Sequence, residues 1–214
     1  MATSEFRVVA VAGSVRSGNF SSKALALAVD EIRKRHVEVE VIDLARAHLS
    51  QPGLPPSEDA LRIRKLVSEA AGVILATPEY HGSYSSVIKL FIENLGFPSG
   101  LAGKPVALLG VAAGQIGAIK ALEHLRGVCA HVGAVVLPAT VSVAGVQKLF
   151  DESGRCLDPA TEKNIRGLAT SLLDYLHNNV CARVAMEEFV RSGSTEWMKH
   201  WAGPPDAPRP SGPA

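Results

Sequence analysis

The chain has 214 residues, enough for one domain with a substantial buried core, and its 47% hydrophobic and 20% charged residues are an ordinary globular mixture. A formal charge of +1 gives no electrostatic case for nucleic acid or an acidic membrane surface, and 5% aromatic residues do not suggest a stacking platform for bases. Three widely spaced cysteines, Cys129, Cys156 and Cys181, suggest neither a disulfide framework nor a zinc site.

Arg7 to Ala12 is a nearly unbroken apolar run with β-branched residues, as a strand buried on both faces requires, and is read as the first, central strand. It opens into a polar loop, Gly13 to Ser22. Apolar residues at Leu25, Ala28, Val29 and Ile32 then recur at helical spacing over Lys23 to Arg35. Val37 to Ile42 alternates apolar and acidic residues, the pattern of a strand with one wet face near a sheet edge. The stretch from Ala45 to Ser57 holds Pro52, Gly53, Pro55 and Pro56 and reads as a long loop. Ser57 caps a helix running to about Ala71, and Gly72 to Thr77 is a second continuous apolar strand. It leads into Thr77-Pro78-Glu79-Tyr80-His81-Gly82-Ser83, a loop at the carboxyl end of a parallel strand, where open α/β sheets bind their ligands.

The helix from Ser86 to Leu95 is apolar over much of its circumference, more than one sheet needs to cover, and is the expected subunit contact. A strand from Val106 to Val111, a loop from Ala112 to Gly117, a helix from Ala118 to Val132 and a strand from Gly133 to Leu137 follow. Five strands alternating with helices make a doubly wound parallel sheet. A last helix starts at Pro159 and runs to about Asn178. The domain is placed at 1–181, with a helical appendix at 182–202, broken near Gly193, and a disordered proline-rich tail at 203–214.

The loop from Gly13 to Ser22 gathers hydroxyls, one cation and the amino end of a helix. A phosphate monoester needs that set: unpaired N–H groups and the positive dipole end favour the anion, Arg16 offers paired charge-assisted bonds, and serines fill the remaining lone pairs. The loop has neither the G-x-G-x-x-G spacing of dinucleotide folds nor the Gly-Lys-Ser/Thr ending of an NTPase loop. Taken alone, it could also be only a well-capped helix start. The seven histidines show no ligand spacing and no metal is expected. Arg33 to His36 is read as a helix carboxyl end complementing its dipole, and Cys129 as a small core residue. No second carboxylate or histidine stands directly beside Glu79 in sequence, so no catalytic side chain is assigned; Glu79 is read as fixing the loop or capping the next helix.

Thr77 to Ser83 resembles the T-P-E-Y-N-G-S signature of NADPH-dependent FMN reductases, flavodoxin-like enzymes that reduce flavin, quinone or azo compounds, with His81 in place of Asn. The first loop resembles that family's G-S-x-R-x-x-S-x-N phosphate loop through Gly13, Ser14 and Arg16, with Asn19 and Ser21 where the family usually has Ser and Asn. The motifs V-S-V-A-G and F-D-x-x-G and a following Asp-Pro extend the resemblance from about Arg7 to Asn178. It is weaker at Tyr84, Ser85 and Ser86, where the family often has Pro-Gly, and at the third loop, Gly114 to Gly117.

The resemblance implies a flavodoxin-like sandwich with a five-stranded parallel sheet in the order 2-1-3-4-5 and helices on both faces. It implies FMN held at its phosphate by Ser14, Arg16, Asn19, Ser21 and Ser22. Backbone groups of Pro78, Glu79, Tyr80, His81, Gly82 and Ser83 would meet the ring, and those of Gly114 and Gln115 its pyrimidine edge. NADPH or NADH would donate hydride beside Gly82, for a small acceptor such as free flavin, a quinone, an azo compound, chromate or a ferric complex. The His81 imidazole is either a bystander or a contact to the ring edge or acceptor. A homodimer or homotetramer is expected. An electron-carrier flavodoxin or a non-catalytic flavin-binding regulator would share the fold, but Arg16 and the near-neutral charge depart from the Thr/Ser-rich loop and acidic surface of flavodoxins. No apolar run reaches the ~18 residues of a membrane span, and the start of the chain lacks the features of a signal peptide, so a cytoplasmic location is expected.

Overall fold

The computed structural model describes residues 6–193. The two apolar runs lie side by side in it: β1 (Arg7–Ala12) is parallel to β3 (Gly72–Tyr80), with Val8 opposite Gly72 and Ala12 opposite Ala76. The edge strand β2 (Glu38–Asp43) flanks β1, β5 (Pro105–Val111) flanks β3, and β6 (Val135–Val136) lies beyond β5. The parallel order β2-β1-β3-β5-β6 is the expected doubly wound one. The sheet nevertheless has seven strands, not five. β4 (Ser83–Tyr84) turns back antiparallel on β3, and β7 (Val141–Val143) pairs parallel with β5. The last expected strand, Gly133 to Leu137, is reduced to the two residues of β6 and stops before Pro138. The Leu137 N–H still donates to the Val106 carbonyl at 2.9 Å, but proline has no donor to continue the ladder, and the chain rejoins β5 opposite Leu109 to Val111.

Val8 to Val11 and Val73 to Ala76 are wholly buried, which explains runs that are apolar on both faces. Val9, Val11, Val73 and Leu75 pack under α2 (Glu58–Glu69), α3 (Ser86–Asn94) and α4 (Ile119–His131). The opposite face is covered by α1 (Phe20–Lys34) and α5 (Pro159–Tyr175), which pack on each other as well as on the sheet. The basic end of α1 is a Schellman turn: His36, at φ 59°, donates to Arg33, and Val37 donates to Ile32. In α3, Ile88, Phe91 and Ile92 are already buried inside the chain, so most of its broad apolar surface has a partner here. Val87 and Leu90 remain half-buried.

The chain divides into two compact units after Leu176. A π-helical segment, Leu176–Cys181, runs across this boundary, and the described part of the second unit continues with α6 (Ala182–Ser192), which ends at Gly193 in the left-handed region, φ 68°. The expected second helix of the appendix and the proline-rich tail lie outside the described residues. Among the described residues no helix is long and apolar enough to cross a membrane.

Candidate active site

The chain leaves β1 for β2 on one side and returns to β3 on the other, so the crevice between the carboxyl ends of β1 and β3 is the topological switch point. A hydrogen-bonded seam closes its floor. The Gly13 N–H donates to the Ala76 carbonyl at 2.8 Å, and the Ser85 hydroxyl donates to the Gly13 carbonyl at 2.6 Å. Ser85 also caps α3, and its own N–H donates to Thr77 Oγ1 at 3.0 Å. Gly13 therefore serves close packing: a Cβ there would stand 2.4 Å from both the Ala76 oxygen and Ile88 Cγ1.

Above this seam, Ser14 is buried and its Oγ accepts the Arg16 N–H at 3.3 Å. Asn19 is the N-cap of α1. Its Oδ1 accepts the Ser22 N–H at 2.8 Å and its Nδ2 donates to the Arg16 carbonyl at 2.8 Å, so its side chain shapes the loop. Ser21 is 1% exposed and its Oγ is buried with no hydrogen-bond partner. An orphaned hydroxyl in the first turn of a helix, where the N–H groups also lack intrahelical acceptors, needs a polar partner. Arg16 is exposed, and its guanidinium carbon lies over the Tyr80 ring, 4.6 Å from the centroid.

The signature stretch is a hairpin rather than an open loop. β3 continues through Pro78 and Glu79 to Tyr80, and Tyr80 lies opposite Ser83. His81 and Gly82 are the two turn residues, at φ 51° and 75°. Two positive φ values define a type I′ turn, which favours Asn-Gly; His also tolerates the left-handed region better than most residues. His81 thus meets the same backbone demand as the Asn it replaces. His81→Asn is expected to leave stability within about 0.5 kcal/mol. His81→Val should cost about 1–2 kcal/mol, as a β-branched residue forced left-handed. Urea unfolding of the three proteins checks this; equal midpoints would remove the turn from the explanation.

Glu79 does cap a helix, though not the one that follows it. Its Oε2 accepts the Ala121 N–H at 3.0 Å, in the first turn of α4. Ala118, at the N-cap of α4, offers no side-chain bond, and its N–H donates instead to Ser142 Oγ at 2.8 Å. Two orphan donors are thus satisfied from distant segments. In the third loop, the Gly114 carbonyl accepts the N–H groups of Gly117 and Gly145, while Gly114 and Gln115 stay exposed. Ser83 Oγ lies 3.2 Å from His124 Nδ1, and the stem of Lys120 passes beside Gly82. Ser142, His124 and Lys120 were not singled out as site residues from the sequence; only Ser142 lies in a quoted motif.

The family model of NADPH-dependent FMN reductases matches residues 6–148, which include all three loops. The chain belongs to this family. Among relatives, the NAD(P)H-dependent FMN reductase of Pseudomonas aeruginosa is 31% identical over 170 residues, 76% of this chain and 90% of that protein. A quinone reductase of Escherichia coli is 29% identical over 183 residues, 80% and 96% of the two chains. The solved structure of FerB, an NAD(P)H:acceptor oxidoreductase from Paracoccus denitrificans, superposes with a TM-score of 0.68 at 24% identity, over 80% of this chain and 97% of that one. As an FMN reductase family member, the chain departs from the signature only where the turn accepts either residue.

Proposed function

We infer that the protein is an FMN-dependent oxidoreductase that takes hydride from NADPH or NADH and passes electrons to a small-molecule acceptor. The observation that carries this is the meeting of the Gly13–Ser22 loop and the signature hairpin across the switch point, with a cation, Arg16, and an unpartnered buried hydroxyl, Ser21, at the start of α1. These residues fit FMN. Ser14, Arg16, Ser21 and the first N–H groups of α1 would hold the phosphate, with Asn19 and Ser22 maintaining the loop. His81 and Gly82 lie outside the ladder, so their N–H groups are the hairpin donors available to the ring; those of Gly114 and Gln115 serve its other edge. Bound FMN supplies the redox chemistry, and the backbone donors favour the negative charge that reduction adds. Glu79, turned to α4, keeps the hairpin in place and moves no proton.

Quinones and azo compounds are the acceptor classes best supported, because proteins named for reducing them are among the relatives. We assign the working form as a two-fold dimer pairing through α3, where Val87 and Leu90 are half-buried and Phe97, just beyond its end, is fully exposed. Light scattering at micromolar concentration should give at least twice the chain mass; a monomer would overturn this assignment. Cys129 and Cys156 are buried thiols in no disulfide, and burial pushes the Cys129 thiol up to about 12, which supports a reducing compartment such as the cytoplasm and an unreactive core thiol.

The function is tested by mixing FMN-loaded protein with NADPH or NADH in a stopped-flow instrument. The flavin absorbance should bleach rapidly and return on adding a quinone. A flavin that bleaches with neither nucleotide would point instead to an electron carrier or a regulator.

A further inference from the structure

We propose that Tyr80 is a positioning residue for the cofactor phosphate: its ring holds the Arg16 guanidinium so that the N–H edge is presented to the phosphate oxygens. The inference rests on reading Gly13 to Ser22 as the phosphate loop. A guanidinium carries its donors in its plane and its weakly hydrated surfaces above and below, so an aromatic ring occupies a face without consuming a donor. Arg16 Cζ lies over the Tyr80 ring, 4.6 Å from its centroid, and the side chain makes no ion pair among the described residues. The hairpin's only carboxylate, Glu79, is turned away to the Ala121 N–H.

Both partners are fixed by their backbones. Both backbone polar groups of Arg16 are held: its N–H donates to Ser14 Oγ and its carbonyl accepts from Asn19 Nδ2. Tyr80 closes the hairpin opposite Ser83. An exposed arginine would otherwise spread over many rotamers, all of which must be lost when it binds an anion. The ring removes part of that loss beforehand. It also links the two loops, so a change in the hairpin alters phosphate affinity without touching the phosphate.

The test is a set of fluorescence titrations with FMN and riboflavin, read as the ratio of their Kd values, since a direct contact between Tyr80 and the flavin ring would shift both ligands alike. Tyr80→Leu and Tyr80→Thr, either sufficient if folded by circular dichroism, should weaken FMN selectively by about threefold to fivefold, the range of an exposed cation–π contact. Tyr80→Phe and Tyr80→Trp, which keep a π face, should restore the wild-type ratio to within about twofold. In an Arg16→Ala background, Tyr80→Leu should cause no further selective loss, because the group it positions is gone. A ratio unchanged by Tyr80→Leu, a failure of both aromatic variants to restore it, or losses that add to those of Arg16→Ala would overturn the role of Tyr80. A ratio unchanged by Arg16→Ala would instead overturn the phosphate-loop reading beneath it.

Discussion

Gly13→Ala is expected to destabilise the domain by roughly 3 kcal/mol and to lose flavin binding with it. The added Cβ would meet the Ala76 carbonyl oxygen and Ile88 Cγ1 at 2.4 Å, and neither can withdraw cheaply. Ile88 is wholly buried beneath the sheet beside Phe91, and the Ala76 oxygen already accepts the Gly13 N–H. Relief of the clash therefore moves β1 away from β3, stretching that bond and the one from the Ser85 hydroxyl to the Gly13 carbonyl. Gly13 is not among the positive-φ residues, so the cost is steric rather than conformational. The stiffer unfolded chain of an alanine offsets only about 0.4–1 kcal/mol. Gly114→Ala is the control, since a Cβ there meets nothing within 4 Å and φ is not positive; it should stay within about 0.5 kcal/mol of wild type. Chemical denaturation compares the two, and indistinguishable midpoints would show that the seam yields without strain.

Arg16→Ala should weaken FMN by about 2 kcal/mol, close to 30-fold, and change riboflavin by less than about twofold. The guanidinium makes no ion pair within the described fold, so its removal leaves no buried charge behind and folding stability should hold. Its exposure predicts that the contribution shrinks as salt rises. Arginine stays charged at every accessible pH, whereas a phosphate monoester gives up its second charge near about pH 6, so the selective contribution should fall as pH drops through that point. Arg16→Lys keeps the charge but loses the planar fork and the ring contact, and an intermediate loss is expected. Fluorescence titration of both flavins reads all of these; equal losses for FMN and riboflavin would place Arg16 away from the phosphate.

Contiguous residues carried most of the architecture. Val8 to Val11 and Val73 to Ala76 had to be strands buried on both faces, because an apolar run that short and that β-branched has no polar side to offer water. Asn19, Ser57 and Ser85 cap α1, α2 and α3 through short-range bonds of the kind sequence spacing reveals. Strand alternation placed β2 at an edge, and the loop chemistry at Gly13 to Ser22 and Thr77 to Ser83 marked the two halves of the site.

Only the tertiary structure decided how those halves meet. The two-residue turn at His81 and Gly82 makes β4 only two residues long, too short for any periodicity, and the break at Pro138 between β6 and β7 appears only once β5 supplies partners on both sides of it. The carboxylate of Glu79 reaches a helix 42 positions away, Ser142 caps the same helix from 24 positions, and Ser85 holds Gly13 across 72. Each of these bonds satisfies a group that its own neighbourhood leaves unpaired, so a local reading registers at most the need and never the partner. The contact of Arg16 with Tyr80 is of the same kind. Periodicity and turn chemistry belong to neighbours along the chain, whereas such pairs exist only after the parallel sheet has brought the ends of β1, β3 and β5 to one edge.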